Sequence, residues 1–326
     1  MCYVYLSPQW STRDAAQLRG PAWDCLMVSE KSGAFAFCQI PPSVKINKMP
    51  GVEMLCRKDK LCKNYRKLQK QFGVTDFNFI PESFNIPEDL KEIQSEELKD
   101  VWFIMKPPAQ SCGNGIKILS NVDQIPKRSK NIVLQRYLTN PFLIEGLKFD
   151  LRLYVLLTSV DPLRIYLYDD GLVRFATQEF SMKPRFLSDQ FRHLTNFSVN
   201  KYNPEFLHNE EADEFYGHKR SFQSLLKYLA DRKFNTENLL EEIKDIILKT
   251  IMTGYDGMVE AFKDTVRSDY NCYKLFGADV ILDANLKPWV LEFNDFPSLG
   301  WHFYSFTVVI IYLFLFRVAC SGQTCQ

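Results

Sequence analysis

Residues 274–294 read KLFGADVILDANLKPWVLEFN. Two apolar runs, 274–283 and 289–294, flank the short connection Ala284-Asn285-Leu286-Lys287-Pro288, a pattern that predicts an antiparallel hairpin. Asp279 sits on the first run, and Glu292 and Asn294 lie two apart on the second. Residues i and i+2 of a strand point to the same side, so two carboxylates and one amide oxygen converge from neighbouring strands. An all-oxygen set of this kind suits Mg²⁺, which takes few protein ligands and completes its octahedron with water and phosphate oxygens. A nucleotide-using enzyme is the first reading; acidic residues on the wet face of an edge hairpin are the plain alternative.

The bulk of the chain is compatible with such an enzyme. At 326 residues, with 46% hydrophobic and 14% aromatic content, it is globular and long enough for a substantial core in two or three subdomains. Lys plus Arg (40) nearly balances Asp plus Glu (39), so overall charge names no partner; no nucleic-acid partner is expected, and a monomer is. The nine cysteines are scattered without a CxxC pair or a zinc-like spacing, and the N-terminus is a poor signal peptide, so a reducing cytoplasm is expected. Residues 303–316, FYSFTVVIIYLFLF, are almost continuously apolar. A spanning helix needs roughly 20 apolar residues, which favours a buried strand or an abnormal tail over a membrane anchor.

Residues 1–50 read as an irregular lead-in with short strands and a break at Pro41-Pro42. In 54–72, Leu55, Leu61, Tyr65, Leu68 and Phe72 recur at helical spacing, and Arg57, Lys58, Lys60, Lys63, Arg66, Lys67 and Lys70 make the remainder basic. That face is either simply solvated or a surface that steers an acidic partner. Strand-like runs follow at 101–106, 132–137, 147–157 and 163–176, the last expected to be a hairpin turned at Asp169-Asp170-Gly171. Two helices come next, one marked by Phe222, Leu225, Leu226 and Leu229, the other by Leu239, Ile243, Ile246, Ile247 and Ile251. The order predicts a mixed α+β fold with antiparallel sheets rather than a run of βαβ units.

Three further segments carry chemistry. Lys106 leaves an apolar strand and enters PPAQSCGNGIK (107–117), a small-residue loop whose glycines let backbone N–H groups close on an anion. It is not a Walker loop, and a generic turn would need no ligand. In 147–153, Lys148, Asp150 and Arg152 share one face of a strand while leucines and Phe149 take the other. Because buried charge is rare, three charges on a strand that looks central to a sheet point to a site. Arg174 lies on the partner run, and HLTNFS (193–198) offers a polar cluster in which His193 alone reads as structural.

Taken together and in order, KPPAQSCGNGI, LQRYL, GLKFDLRLYVLLTSVDPLRIYLYDDGLVRFA, HLTNFSVNK and FGADVILDANLKPWVLEFN resemble the tubulin–tyrosine ligase-like family over about residues 50–300, with its polyglutamylase branch the most similar. The resemblance implies an ATP-grasp fold, with ATP held between two mainly antiparallel sheets. Residues 51–100 would form an N-terminal subdomain carrying the basic helix, 101–300 the central and C-terminal lobes, and 301–326 a divergent apolar tail. It also implies ligation of glutamate onto a protein carboxylate, typically in the acidic tail of tubulin, hence free L-glutamate and microtubules as partners and a cytoskeletal location, cilia included. Carried over by motif, Lys106 and Lys148 hold ATP phosphates with Cys112 and Gly113 beside them. Gln135, Arg136, Tyr137 and Leu138 read adenine, Phe149 and Asp150 complete the nucleotide contact, and Thr195 and Asn196 add polar contacts. Arg174 engages the amino acid and the reacting centre, Phe197, Ser198 and Lys219 fall near the incoming amino acid, and Asp279, Glu292 and Asn294 hold Mg²⁺.

The chain departs from the family pattern at four places. Cys112 replaces a positively charged residue, and Phe197 replaces the tyrosine of HLTNYS, removing a hydroxyl. Asp295-Phe296 stand where small polar residues are usual, and after Gly300 the apolar tail replaces a helical segment. ATP binding is therefore a firmer expectation than turnover, with a nucleotide-binding, microtubule-docking isoform or a glycine or tyrosine ligase as the alternatives.

Overall fold

The stretch 274–294 folds as two antiparallel strands in the computed structural model, which describes residues 4–7, 25–28, 37–42, 44–108, 113, 115–126, 131–209, 215–268 and 271–298. The described residues up to Asp295 form one compact unit. In chain order its described elements are β1 (Val4–Ser7), β2 (Cys25–Val28), β3 (Lys45–Ile46), α1 (Glu53–Cys56), α2 (Lys58–Phe72), β4 (Ser83–Ile86), α3 (Leu90–Ile93), β5 (Phe103–Lys106), β6 (Lys117–Leu119), β7 (Ile132–Arg136) and β8 (Leu143–Ile144). Then come β9 (Leu147–Val160), β10 (Leu163–Phe175), α4 (Gln190–His193), α5 (Phe197–Asn200), β11 (Lys219–Ser221), α6 (Phe222–Asp231), α7 (Thr236–Thr265), β12 (Lys274–Leu282) and β13 (Pro288–Asn294).

Two antiparallel sheets carry the fold, which is α+β as expected. The larger runs β11-β10-β9-β12-β13, with β8 added to β9; the smaller runs β4-β7-β5-β6. A short parallel sheet, β1-β2-β3, accompanies them. Alternation along β9 divides the larger sheet into two chemistries. Phe149, Leu151, Leu153, Val155 and Leu157 face a core shared with Leu225 and Leu229 of α6 and Ile243, Ile247 and Ile251 of α7. Each such buried side chain contributes about 1.5–3 kcal/mol. Lys148, Asp150 and Arg152 take the opposite face. The smaller sheet buries Phe84, Phe103 and Leu134 against Ile93 and Leu98.

The thirty residues of α7 are capped by Asn235, whose side chain accepts from the Asn238 N–H. Glycines on both sides bring α1 and α7 together: a Cβ on Gly254 of α7 would lie 2.8 Å from Leu55 Cδ2, and one on Gly51 (φ +77°), just before α1, only 2.7 Å from the Met258 backbone.

Two expectations are corrected. Residues 54–72 are not one helix, because Arg57 is extended (φ −85°, ψ 123°) and separates α1 from α2. Asp169-Asp170-Gly171 is not a hairpin turn. β10 is one strand paired with β9, and the chain reverses earlier, between Val160 and Leu163. The register shifts between Leu167 and Gly171, so the Asp-Asp-Gly segment is absorbed as a bulge. The Asp170 carboxylate holds it by accepting from the Gly171 N–H (2.8 Å) and from the Gln223 N–H (3.0 Å) at the start of α6. Among the described residues, no helix is long and apolar enough to cross a membrane. The segment 303–316 lies outside them.

Candidate active site

One cleft gathers residues from both sheets. Its lining includes Lys58, Lys106, Gly113, Lys148, Asp150, His193, Thr195, Asn196, Asp279 and Glu292, around about 660 Å³ of empty space partly open to solvent. The smaller sheet supplies Lys106 from the end of β5, the larger sheet Lys148 and Asp150 from β9, and the hairpin its carboxylates.

Register explains the hairpin side. Asp279 on β12 pairs with Glu292 on β13 and with Arg152 on β9, while Gly277 pairs with Asn294. The Asn294 amide nitrogen lies 3.4 Å from Asp279 Oδ2 and 3.3 Å from Glu292 Oε1. The expected three donors therefore converge on one point. Rotation of the amide would present its oxygen there, since which end points inward is assigned from the surrounding hydrogen bonds. The donor set fits a hard divalent cation that draws its remaining ligands from water and substrate. Among the described residues, no group of three or more His, Cys, Asp or Glu side chains is arranged for a metal, so any cation here needs the amide and exogenous oxygens.

Cations lock these carboxylates in place. Arg152 grips Asp279 with both ends of its fork, and Arg174 reaches Asp279 Oδ2 (3.0 Å) while also pairing with Asp150 through Nε (2.8 Å). Burial alone would raise the Asp279 carboxyl, but Arg152 and Arg174 outweigh it and hold the group well below the usual carboxylate range. Lys58, the first residue of α2, reaches Glu292 Oε2 at 2.9 Å. Five cations (Lys58, Lys106, Lys148, Arg152 and Arg174) thus face three carboxylates (Asp150, Asp279 and Glu292), an excess suited to a polyphosphate.

Lys106 and Lys148 are buried. Lys106 Nζ donates to Gln135 Oε1 (2.6 Å), whose amide donates to Ser83 Oγ (3.2 Å). Lys148 Nζ donates to Tyr137 Oη (3.1 Å) and to the His193 carbonyl (2.9 Å). Burial pushes Lys106 down to about 8 and Lys148 to about 7, partly offset for Lys148 by Asp150. Gly113 closes the cleft where a side chain would not fit. Its φ is +79°, and a Cβ would meet Val199 Cγ2 at 3.0 Å and Leu194 Cδ1 at 3.4 Å.

At the other end, Lys219 on β11 pairs in register with Arg174, and burial followed by Arg174's charge lowers its pKa. Lys219 Nζ lies 5.7 Å from the centre of the Phe197 ring, which is 45% exposed, with half-buried Ser198 next in sequence. The structure therefore brings Arg174, Lys219 and Phe197 together.

Two expected side chains point elsewhere. Phe149 lies in the hydrophobic core, because alternation sends it to the face opposite Lys148 and Asp150. Arg136 is exposed and pairs with Glu82 (2.7 Å), since Gln135 and Tyr137 take the inward positions on either side of it. Leu138 is half-buried. Cys112 lies outside the described residues. Lys58 has no sequence signal for the site, because only tertiary packing carries α2 to Glu292. Arg152 shares the i+2 spacing of Lys148 and Asp150, and the structure adds it to the site through Asp279. The Tyr137–His193 contact has no signal in sequence.

Residues 38–311 match the Tubulin-tyrosine ligase family. Tubulin monoglutamylase TTLL4 of Mus musculus is 44% identical over 266 residues, which cover 81% of this chain and 22% of that protein. Tubulin polyglutamylase TTLL5 of Homo sapiens is 41% identical over 259 residues, covering 78% and 20% respectively. The Probable beta-tubulin polyglutamylase of Tetrahymena thermophila is 39% identical over 271 residues, covering 80% and 22%. The chain spans about a fifth of the length of these curated relatives. With a family match over most of its length and a cleft built from the motifs that carried the resemblance, the chain belongs to the tubulin-tyrosine ligase family.

Proposed function

We propose that the chain is an ATP- and Mg²⁺-dependent carboxylate–amine ligase that joins glutamate to the side-chain carboxylate of a glutamate in a protein acceptor, most simply the acidic tail of tubulin. One observation carries this reading: two buried lysines from different sheets and the Asp279, Glu292 and Asn294 face share one cleft, with Arg174 bridging Asp150 and Asp279. The names of the relatives, which are tubulin mono- and polyglutamylases, support the choice of amino acid and acceptor. A tubulin acceptor would keep the protein with the microtubule cytoskeleton, basal bodies and axonemes included. In this reading the ligase acts as a monomer.

In this reading an acceptor carboxylate oxygen attacks the γ-phosphorus of ATP, ADP leaves, and an acyl phosphate forms on the acceptor. The amine of free glutamate then attacks the acyl carbon, phosphate leaves, and the nitrogen loses a proton, giving an isopeptide branch. Lys106 and Lys148 hold phosphate oxygens, Gly113 brings backbone close to them, and Thr195 and Asn196 line the same cleft, Asn196 beside Gly113. Asp279, Glu292 and Asn294 would hold Mg²⁺, which when bound neutralises charge on the transferring group. Arg174, its Nε and one terminal nitrogen held by Asp150 and Asp279, places its charge beside the carbonyl oxygen that gains charge, with Lys219 and Phe197–Ser198 beside it for the incoming amino acid.

The test is incubation with ATP, Mg²⁺, microtubules and radiolabelled glutamate. ATP-dependent label on tubulin is expected. Nucleotide binding without label would overturn the ligase and favour a docking protein, and preferential uptake of labelled glycine or tyrosine would change the amino acid. The missing hydroxyl at Phe197 is the observation that makes this competition worth running.

A further inference from the structure

One of the two buried lysines of the cleft, Lys148, is held by a short relay that no motif assigned. His193 is buried at the end of α4; its Nε2 faces the Phe186 carbonyl at 3.2 Å and its Nδ1 faces Tyr137 Oη at 2.9 Å. A carbonyl can only accept, so Nε2 carries the proton and Nδ1 of a neutral ring is an acceptor. The Tyr137 hydroxyl must then donate to Nδ1, which leaves its oxygen lone pairs for Lys148 Nζ at 3.1 Å. The backbone of the same histidine takes a second Lys148 proton through its carbonyl at 2.9 Å. The Tyr137 ring stands 4.6 Å from that nitrogen, and Phe180 packs on both Tyr137 and His193. Every polar atom in this chain of contacts has one consistent role.

We propose that His193 is a positioning residue that acts through Tyr137, turning the phenol oxygen toward Lys148 so that its ammonium is held in one direction and its third proton is left to the cleft. This inference rests on the ligase reading only for what Lys148 meets there, namely a phosphate oxygen; the arrangement of the lysine itself stands without it. Burial lowers His193 to about 4, which keeps the ring neutral across the working range and the relay in one tautomer. Charged or titratable groups facing Lys148 are Asp150 on its own strand, Lys106 from β5, and Tyr137 and His193 of the relay. Tyr137 and His193 supply acceptors to the protonated amine, offsetting part of the cost of burial.

The test uses the full chain in two arms. In the first, the amine reactivity of Lys148 toward trace acetic anhydride is followed against pH by mass spectrometry, without nucleotide. Tyr137→Phe, which keeps the ring and removes the hydroxyl, should move the reactivity midpoint down by about one pH unit, the size of one lost charge-assisted hydrogen bond. His193→Leu should do the same. His193→Asn, whose side-chain oxygen can occupy the Nδ1 position, should restore most of the shift. The double variant Tyr137→Phe/His193→Leu should be no worse than Tyr137→Phe alone, because both remove one relay. An unchanged midpoint in Tyr137→Phe overturns the inference, even if that variant unfolds at lower temperature. If His193→Leu does not fold, Tyr137→Phe and His193→Asn decide the matter alone. In the second arm, ATP with Mg²⁺ is titrated by calorimetry, and Tyr137→Phe should weaken binding about tenfold at neutral pH. A wild-type chain that binds no ATP defeats the ligase reading while leaving the first arm to judge the relay.

Discussion

At the scale of single residues, the cleft sets opposing demands on charge that can be measured separately. Glu292 accepts from Lys58 at the rim of the site, and its replacement by the isosteric amide keeps a hydrogen-bond partner for that lysine. Glu292→Gln is expected to abolish ATP-dependent labelling of microtubules while changing unfolding free energy by less than about 1 kcal/mol, the usual scale of a partly exposed ion pair. Labelling that persists would remove Glu292 from the reacting centre. Lys106 and Lys148 make a pH prediction with two signs. Their folded-state values, about 8 and about 7, lie below the ordinary lysine value of 10.5. As pH rises through 7 to 8 the amines lose protons, so ATP affinity should fall. Over the window from about 7 to about 10 the unfolded chain binds more protons than the folded one, so these lysines make the nucleotide-free protein more stable as pH rises. Chemical denaturation at several pH values should show this slope in the wild type and a shallower one in Lys148→Met.

At the scale of elements, the site depends on how strands are kept in register. The Asp169–Gly171 bulge resets β10 against β9, so that Arg174 stands opposite Asp150 rather than two places away, at Lys148. Asp170 fastens that bulge to the first turn of α6, and burial raises its own pKa. Asp170→Ala leaves the part-buried Gly171 N–H and the exposed Gln223 N–H without their acceptor and should destabilise the fold by about 0.5–1.5 kcal/mol in urea titration. It should also lower ligation more than ATP binding, because Arg174 lies four residues along the same strand while Lys106 lies on the other sheet. A loss shared equally between the two activities would count against this account. Tyr65 plays a comparable part for the hairpin. Its hydroxyl accepts from the N–H groups of Phe79 and Ile80, and the Phe79 carbonyl accepts from Val290 on β13.

At the scale of the molecule, α2 links the site to an outer surface. Lys58 at its start enters the cleft, whereas Lys63, Lys67 and Lys70 are exposed on another side. They border a groove that Glu88, Asp89 and Glu92 also line, and Arg66 is already paired with Asp89 (2.8 Å) and Glu92 (2.6 Å). If these lysines steer an acidic acceptor, Lys63→Glu/Lys67→Glu/Lys70→Glu should raise the KM for microtubules several-fold at low salt, with little difference near 1 M salt, where the screening length is about 3 Å. The KM for ATP should not change. Equal microtubule KM values for variant and wild type would make this face a solvated one.

Much of the fold and site could be read from the chain itself, because strand alternation and i+2 spacing are local. Lys148, Asp150 and Arg152 had to share a face, Glu292 and Asn294 had to share another, and the apolar positions of α6 and α7 had to meet a sheet. Local pattern could not distinguish a turn from a bulge at Asp169–Gly171, since an Asp-Asp-Gly segment satisfies both and only pairing with a long neighbouring strand decides. It likewise could not place Lys58 on Glu292 or join Tyr137 to His193. Those contacts lie between residues distant in sequence, and sheet register with helix packing, rather than any residue's own neighbours, determines which side chains meet.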